Sequence, residues 1–223
     1  MRVGIEVGGT FTDLVMSDGK NIKTAKVPST PASPDEGAML AIKAAGLKLD
    51  EISELIHGST VATNAVLERK GGRVCFFVTR GTKDLLLIQR HDRGAIYDLQ
   101  YQKPRPVVPR HDTYEIDERI AADGNIVTDL DSEVASTLVR DIFEKEKFDS
   151  VAICFLHSYL NSIHERALSD IISALYPGMP ITCSSDVARE FREYERASTT
   201  TLAAYVQPVV AGYISRFSEE LAR

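Results

Sequence analysis

The sequence predicts an α/β protein, and three observations carry that reading. The N-terminus opens with an apolar strand that breaks at a glycine pair and resumes, Gly4-Ile5-Glu6-Val7-Gly8-Gly9-Thr10-Phe11-Thr12-Asp13. Apolar runs of strand length, Val74 to Thr79 and Val151 to Leu156, alternate with stretches of helical spacing. That order is the one expected of parallel strands joined by helical crossovers. From Glu195 onward Leu202, Tyr205, Val206, Val209, Tyr213, Ile214, Phe217 and Leu221 recur at three- and four-residue steps. This reads as one long helix, kinked at Pro208.

Taken in order, Val3 to Val7 and Phe11 to Met16 are the first two strands, and the Asp18-Gly19 turn leads to a third over Asn21 to Val27. Ser33-Pro34-Asp35-Glu36 is a helix start. Ser33 caps, Pro34 fits the first helical position, Glu36 completes a capping box, and Gly46 supplies the stop. Leu55 to Thr60 is a short strand breaking into a helix that ends near Gly71-Gly72. Thr82 to Ile88 is a short helix, and residues 89 to 112 show neither period, with Lys103 to Pro109 extended. Thr113 to Ile120 and Asn125 to Leu130 form a hairpin turning at Asp123-Gly124. Asp131 caps a helix over residues 132 to 147 that carries Val134, Leu138, Ile142 and Phe143 on one face. A helix from His164 to Leu175 and a strand from Ile181 to Ser184 follow.

The 223 residues, 43% hydrophobic and 26% charged, can build one large core or two smaller ones. A formal net charge of −6 argues against a dedicated nucleic-acid binder. Met1-Arg2 runs straight into a strand that Gly8 and Gly9 end, which does not fit a signal peptide, and no apolar run reaches bilayer length. Cys75, Cys154 and Cys183 are scattered in apolar settings and read as small buried hydrophobes in a reducing, cytoplasmic compartment. The apolar stripe of the last helix runs almost to the final residue with no stop signal, so the chain is expected to continue in its parent protein.

The opening turn is where the chemistry concentrates. A buried strand delivers Glu6 to its end, and two glycines allow a turn with positive backbone angles whose amides can approach a phosphate. Thr10 and Thr12 add hydroxyl donors, and Asp13 returns a second carboxylate near the same turn. Carboxylates beside phosphates usually hold Mg²⁺, because like charges would otherwise repel. A plain Gly-Gly hairpin is the simpler reading of the glycines alone; the flanking hydroxyls and acids favour the phosphate site. Neither GxxxxGKS nor GxGxxG occurs.

VGGTFTD at this position resembles the first phosphate-binding turn of the actin–hexokinase–heat-shock-protein ATPase superfamily. More narrowly, the chain resembles the hydantoinase A/5-oxoprolinase family. Three further stretches match in order: His57-Gly58-Ser59-Thr60-Val61-Ala62-Thr63-Asn64-Ala65 with Leu67 to Gly71, then Tyr97-Asp98-Leu99 with Pro106 to Arg110, then Arg192 to Thr200. The chain departs from the family at Glu6, where Asp is usual, at Ser59 in HGST, and at Gln89 and Gly94, where Gly and Pro are usual.

The resemblance implies a ribonuclease-H-like, actin/hexokinase-type N-terminal lobe over residues 1–80, an inserted α/β subdomain over 81–185, and a long kinked helix over 186–223 leading toward a second lobe. It implies ATP and Mg²⁺ as cofactors. Gly8, Gly9, Thr10 and Thr12 would cradle phosphates, and Glu6 and Asp13 would position the metal at the catalytic centre. His57, Thr60, Thr63 and Asn64 would face the substrate; the alternative is a histidine and capping hydroxyls that only stabilise the turn. Arg90 and Arg93 either clamp an anion or form a solvated basic loop. The implied substrate is a cyclic amide activated by phosphorylation of its oxygen, or a ketone in a carboxylase. The implied partners are the C-terminal remainder of the enzyme and a hydantoinase B-type subunit or domain, with no nucleic acid and no membrane. A non-catalytic binding or assembly module is the reading from another class.

Overall fold

Strict alternation in β1 (Arg2–Val7) fixes the first unit. Val3, Ile5 and Val7 are buried while Arg2 and Glu6 are exposed, the period-two pattern of a strand with one covered face. The computed structural model describes residues 1–92 and 94–222. They divide into one unit of Met1–Gly71 with Val209–Arg223 and another of Gly72–Pro208.

In the first unit β2 (Phe11–Ser17) and β3 (Ile22–Pro28) continue β1 as an antiparallel meander, and β4 (Glu54–Ser59) joins the other side of β1 in parallel. The sheet order is β3-β2-β1-β4. Leu14 and Met16 meet Val3, Ile5 and Val7 on the covered face, under Ala38, Ala41 and Ile42 of α1 (Pro34–Ala44) and Phe217. Gly46 closes α1 at φ +70° as the sequence predicts. The expected capping box does not form: Ser33 makes no side-chain cap, and its carbonyl accepts from the Thr30 hydroxyl at 2.6 Å. α2 (Val61–Leu67) follows β4 and ends four residues before Gly71.

The second unit is built on β5 (Val74–Thr79), all six residues of which are buried. It pairs in parallel with β6 (Thr113–Ile116) and with β9 (Ser150–Cys154), and β10 (Ile181–Cys183) adds to β9. The first unit therefore ends at Gly71, not at residue 80, because β5 belongs to this parallel sheet. The predicted hairpin is shorter than expected. Its first half gives β6 to the parallel sheet, so only β7 (Arg119–Ile120) and β8 (Ile126–Thr128) pair with each other.

Asp131 caps α4 (Ser132–Lys145) as predicted, accepting from the Glu133 and Val134 amides at 2.9 and 3.1 Å. The buried stripe of α4 is Ala135, Val139 and Ile142, so Val134 faces out. With α5 (Ile163–Leu175) it covers a core of Phe77, Val151, Ile153, Leu168 and Ile172. Two short helices, α3 (Leu85–Ile88) and α6 (Ser184–Val187), precede α7 (Glu193–Leu221), which contains Pro208. The three cysteines are buried free thiols, and burial pushes Cys154 and Cys183 up to about 12. No helix among the described residues is long and apolar enough to cross a membrane.

Candidate functional site

The turn between β1 and β2 is tight for reasons of space rather than of backbone sign. Neither Gly8 nor Gly9 has a positive φ, contrary to the sequence expectation. The Gly8 amide donates to the Phe11 carbonyl at 3.1 Å, and a Cβ on Gly8 would sit 3.0 Å from that same oxygen. A Cβ on Gly9 would meet only Asn64 Nδ2, at 3.6 Å. Behind the turn, Ser29 Oγ donates to the Gly8 carbonyl at 2.7 Å and shares a 3.1 Å hydrogen bond with Thr12 Oγ1. Thr12 is fully buried on the core face, so its hydroxyl braces the turn from inside. The Ser29 amide adds a bond to the Thr10 carbonyl at 2.9 Å. α1 comes close at Gly37, where a Cβ would lie 2.9 Å from Thr30 Oγ1 and 3.2 Å from Thr12 Oγ1.

Beyond the end of β1 lies a cavity of about 490 Å³, entirely within the first unit. Gly8 and Gly9 line it together with Ser29 and Thr30, Thr60 and Asn64, and Tyr213 and Arg216. Thr60 is fixed by its amide, which donates to the Val7 carbonyl at 3.1 Å, and Asn64 Nδ2 donates to Thr60 Oγ1 at 3.2 Å. Two of the four residues expected on the substrate side, Thr60 and Asn64, thus stand beside the glycine turn. Thr10 and Thr63 are exposed and do not line the cavity.

His57 takes a different position from the one expected. It pairs in register with Ile5 on the covered face, where its ring packs 4.8 Å from that of Phe217 and its Nε2 hydrogen-bonds the Tyr213 hydroxyl. Burial lowers its pKa, against the smaller opposing influence of the Ile5 carbonyl and Glu6. The neutral ring therefore holds Tyr213, and Tyr213 is the member of the pair that lines the cavity. Burial likewise raises the Tyr213 pKa.

Glu6 and Asp13 are directly opposed across β1 and β2 on the open face of the sheet, and neither lines the cavity. Asp13 is ion-paired to Lys26 at 2.8 Å. The Glu6 carboxylate lies over Gly58, where any side chain would collide with it. Gly58 thus makes room for the longer acid. Among the described residues no group of three or more His, Cys, Asp or Glu could hold a metal ion. The donor set suits a cation that takes one or two carboxylates and draws its remaining oxygens from phosphate and water, as Mg²⁺ does. The glycine turn is the element shared by the carboxylates on one side and the cavity on the other.

Arg90 belongs to the second unit and is ion-paired to Glu195; Arg93 lies outside the described residues. Asp84 pairs with Arg110 at 2.5 Å. Arg196 is fully buried and donates to Ser158, Ser184 and the Phe155 carbonyl.

The profile of the hydantoinase/oxoprolinase N-terminal region matches residues 2–176. The chain belongs to this family. It is 42% identical over 225 residues to an uncharacterized protein of Methanocaldococcus jannaschii, with 99% of this chain and 33% of that protein covered. It is 35% identical to the caprolactamase subunit alpha of Pseudomonas jessenii, covering 96% of this chain and 32% of that subunit. The crystal structure of the ATP-dependent caprolactamase from Pseudomonas jessenii superimposes with a TM-score of 0.87 at 33% identity, over 100% of this chain and 34% of that one. The nucleotide-free structure of acetone carboxylase gives 0.81 at 27%, over 98% and 34%. The mixed α/β fold is shared with both, and the family chain spans about a third of the length of these relatives. Ser29, Tyr213 and Arg216 carry no motif of their own, and the Gly58–Glu6 contact joins residues of two separate motifs. Only the strand pairing and the burial of α7 bring them to the turn.

Proposed function

We propose that this chain supplies the phosphate-binding part of an ATP-dependent enzyme that opens a cyclic amide. The observation that carries the reading is the Gly8-Gly9 turn opening on a cavity edged by Thr60 and Asn64, in a member of a family that includes an ATP-dependent caprolactamase. The β3-β2-β1-β4 order, with three antiparallel strands and a parallel fourth, supports reading the first unit as a ribonuclease-H-like lobe of the actin/hexokinase type.

In the proposed chemistry the amide oxygen attacks the terminal phosphorus of ATP and ADP leaves. The O-phosphorylated carbon is then electrophilic enough for water to add and the ring C–N bond to break, releasing phosphate. A bound Mg²⁺ would offset the charge of the transferred group. Glu6, with Asp13 beside it, is the residue suited to hold that ion. The backbone at Gly8 and Gly9, braced by Thr12 and Ser29, orients the phosphates. Thr60 and Asn64 meet the oxygen-rich end of the ligands. The partners of such an enzyme would be a nucleotide-binding remainder and a hydantoinase B-type subunit.

The structural likeness to acetone carboxylase favours a second reading, in which the same turn serves ATP-driven activation of a ketone. Lactam-dependent and ketone-plus-bicarbonate-dependent release of ADP by the assembled enzyme separate the two. In either case Gly9→Val, which places two methyls against Asn64, should abolish ADP release. Unchanged turnover in that variant overturns the phosphate-cradle assignment. Failure of both the chain and the assembly to bind Mg·ATP would leave the non-catalytic module as the reading.

A further inference from the structure

Arg216, contributed by α7, lines the same cavity as the glycine turn. Its side chain is half exposed, and it meets Asp35 through Nε at 3.3 Å. Asp35 sits in the first turn of α1, and its side chain is only 8% exposed. A guanidinium carries five N–H donors in a planar fork. A carboxylate bound through Nε, at the long end of hydrogen-bond range, fixes the orientation of that fork without engaging its terminal nitrogens.

The other ionic groups on the lining are Lys70 and Glu68, which pair with each other at 2.7 Å. Gly9, Thr60, Asn64 and Tyr213 add amide and hydroxyl groups to a lining that is apolar at Pro31, Pro34, Val61 and Val209. A cavity with this composition suits an oxygen-rich anion that can accept two parallel N–H bonds, and a phosphoryl group is the matching chemistry.

We propose that Arg216 is a phosphate-contacting residue of this cavity, which it lines together with the Gly8-Gly9 turn, and that Asp35 is its positioning residue. The inference rests on the phosphate-site reading above and extends it to a residue 207 positions from Gly9 that no glycine motif marks.

The test uses this protein with Mg·ATP, pyrophosphate and adenosine as separate calorimetric probes, and circular dichroism melting as the control for folding. Arg216→Gln keeps most of the stem and removes the charge. It should weaken Mg·ATP and pyrophosphate about 10- to 100-fold, the loss expected of a charge-assisted pair, and leave adenosine unchanged. Arg216→Lys should recover part of the loss, and Asp35→Asn should fall between wild type and Arg216→Gln. If Arg216→Gln lowers the melting temperature but binds both phosphates as wild type does, the Asp35 pair is only a structural clamp between α1 and α7, and the proposal is overturned. If Gly9→Val abolishes phosphate binding while Arg216→Gln does not, the phosphate site stands and only the role of Arg216 falls. If the wild-type protein binds neither phosphate probe, alone or in the assembled enzyme, both readings fall together.

Discussion

Replacing Gly8 and Gly9 by alanine one at a time separates two demands that a glycine pair usually hides. Both residues have negative φ, so alanine can adopt either backbone, and the restricted unfolded chain should favour each variant by about 0.4–1 kcal/mol. What differs is the space. At Gly8 the new Cβ would stand 3.0 Å from the Phe11 carbonyl, the same atom that accepts the Gly8 amide at 3.1 Å. That contact cannot relax without opening the hydrogen bond that closes β1 onto β2, a forced fit of about 1–3 kcal/mol. At Gly9 the Cβ meets Asn64 Nδ2 at 3.6 Å, which is ordinary van der Waals distance. The net expectation is a loss of up to roughly 2.5 kcal/mol for Gly8→Ala and a gain of about 0.4–1 kcal/mol for Gly9→Ala. Amide hydrogen exchange in β1 and β2 is the suitable assay, because it reads the first unit by itself where a global melt would average two units. Equal losses in the two variants, or a larger loss at Gly9, would refute the steric account of the turn.

Two other outcomes follow from the same geometry. Gly58→Ala should cost little stability, since the displaced group is the end of a flexible, exposed glutamate. It should weaken ATP binding several-fold with Mg²⁺ present and not in excess chelator; equal effects in both conditions would detach Glu6 from the metal. His57 supplies the pH dependence. Its pKa is lowered in the folded state by burial, so its contribution is present above the unfolded value of about 6.5 and is lost as pH falls through the lower folded value. Protection of β1 and β4 should therefore decline as pH falls through that range in wild type and decline less in His57→Gln, and parallel declines would assign the effect to another group.

Much of the fold was legible because it rests on periodicity. The alternation of β1, the unbroken apolar run of β5, Gly46 and the Asp131 cap each act through neighbours within a few residues, and each appears as read. The failures have a common cause. Thr113 to Ile120 looked like one strand of a hairpin, but β6 finds a better-buried partner in β5. Residue 80 as a boundary followed the same pattern, since a strand's sheet membership depends on residues more than 30 positions away. Ser33 is the local exception: its carbonyl accepts the Glu36 amide as a cap residue's does, but its side chain makes no cap bond.

The candidate site divides along the same line. The turn was legible from local pattern: Gly8 and Gly9 between two strands, an acid at each side, and the HGST stretch that brings Thr60 and Asn64, all within reach of local rules and family resemblance. Which face each side chain takes was decided by strand register, where a shift of one residue reverses orientation. Register put Thr12 and His57 inward and Glu6 and Asp13 on the open face. Only the tertiary structure could add Tyr213 and Arg216 to a cavity that begins at Gly8. They lie on a helix whose apolar spacing predicts burial but carries no information about what its polar residues will face.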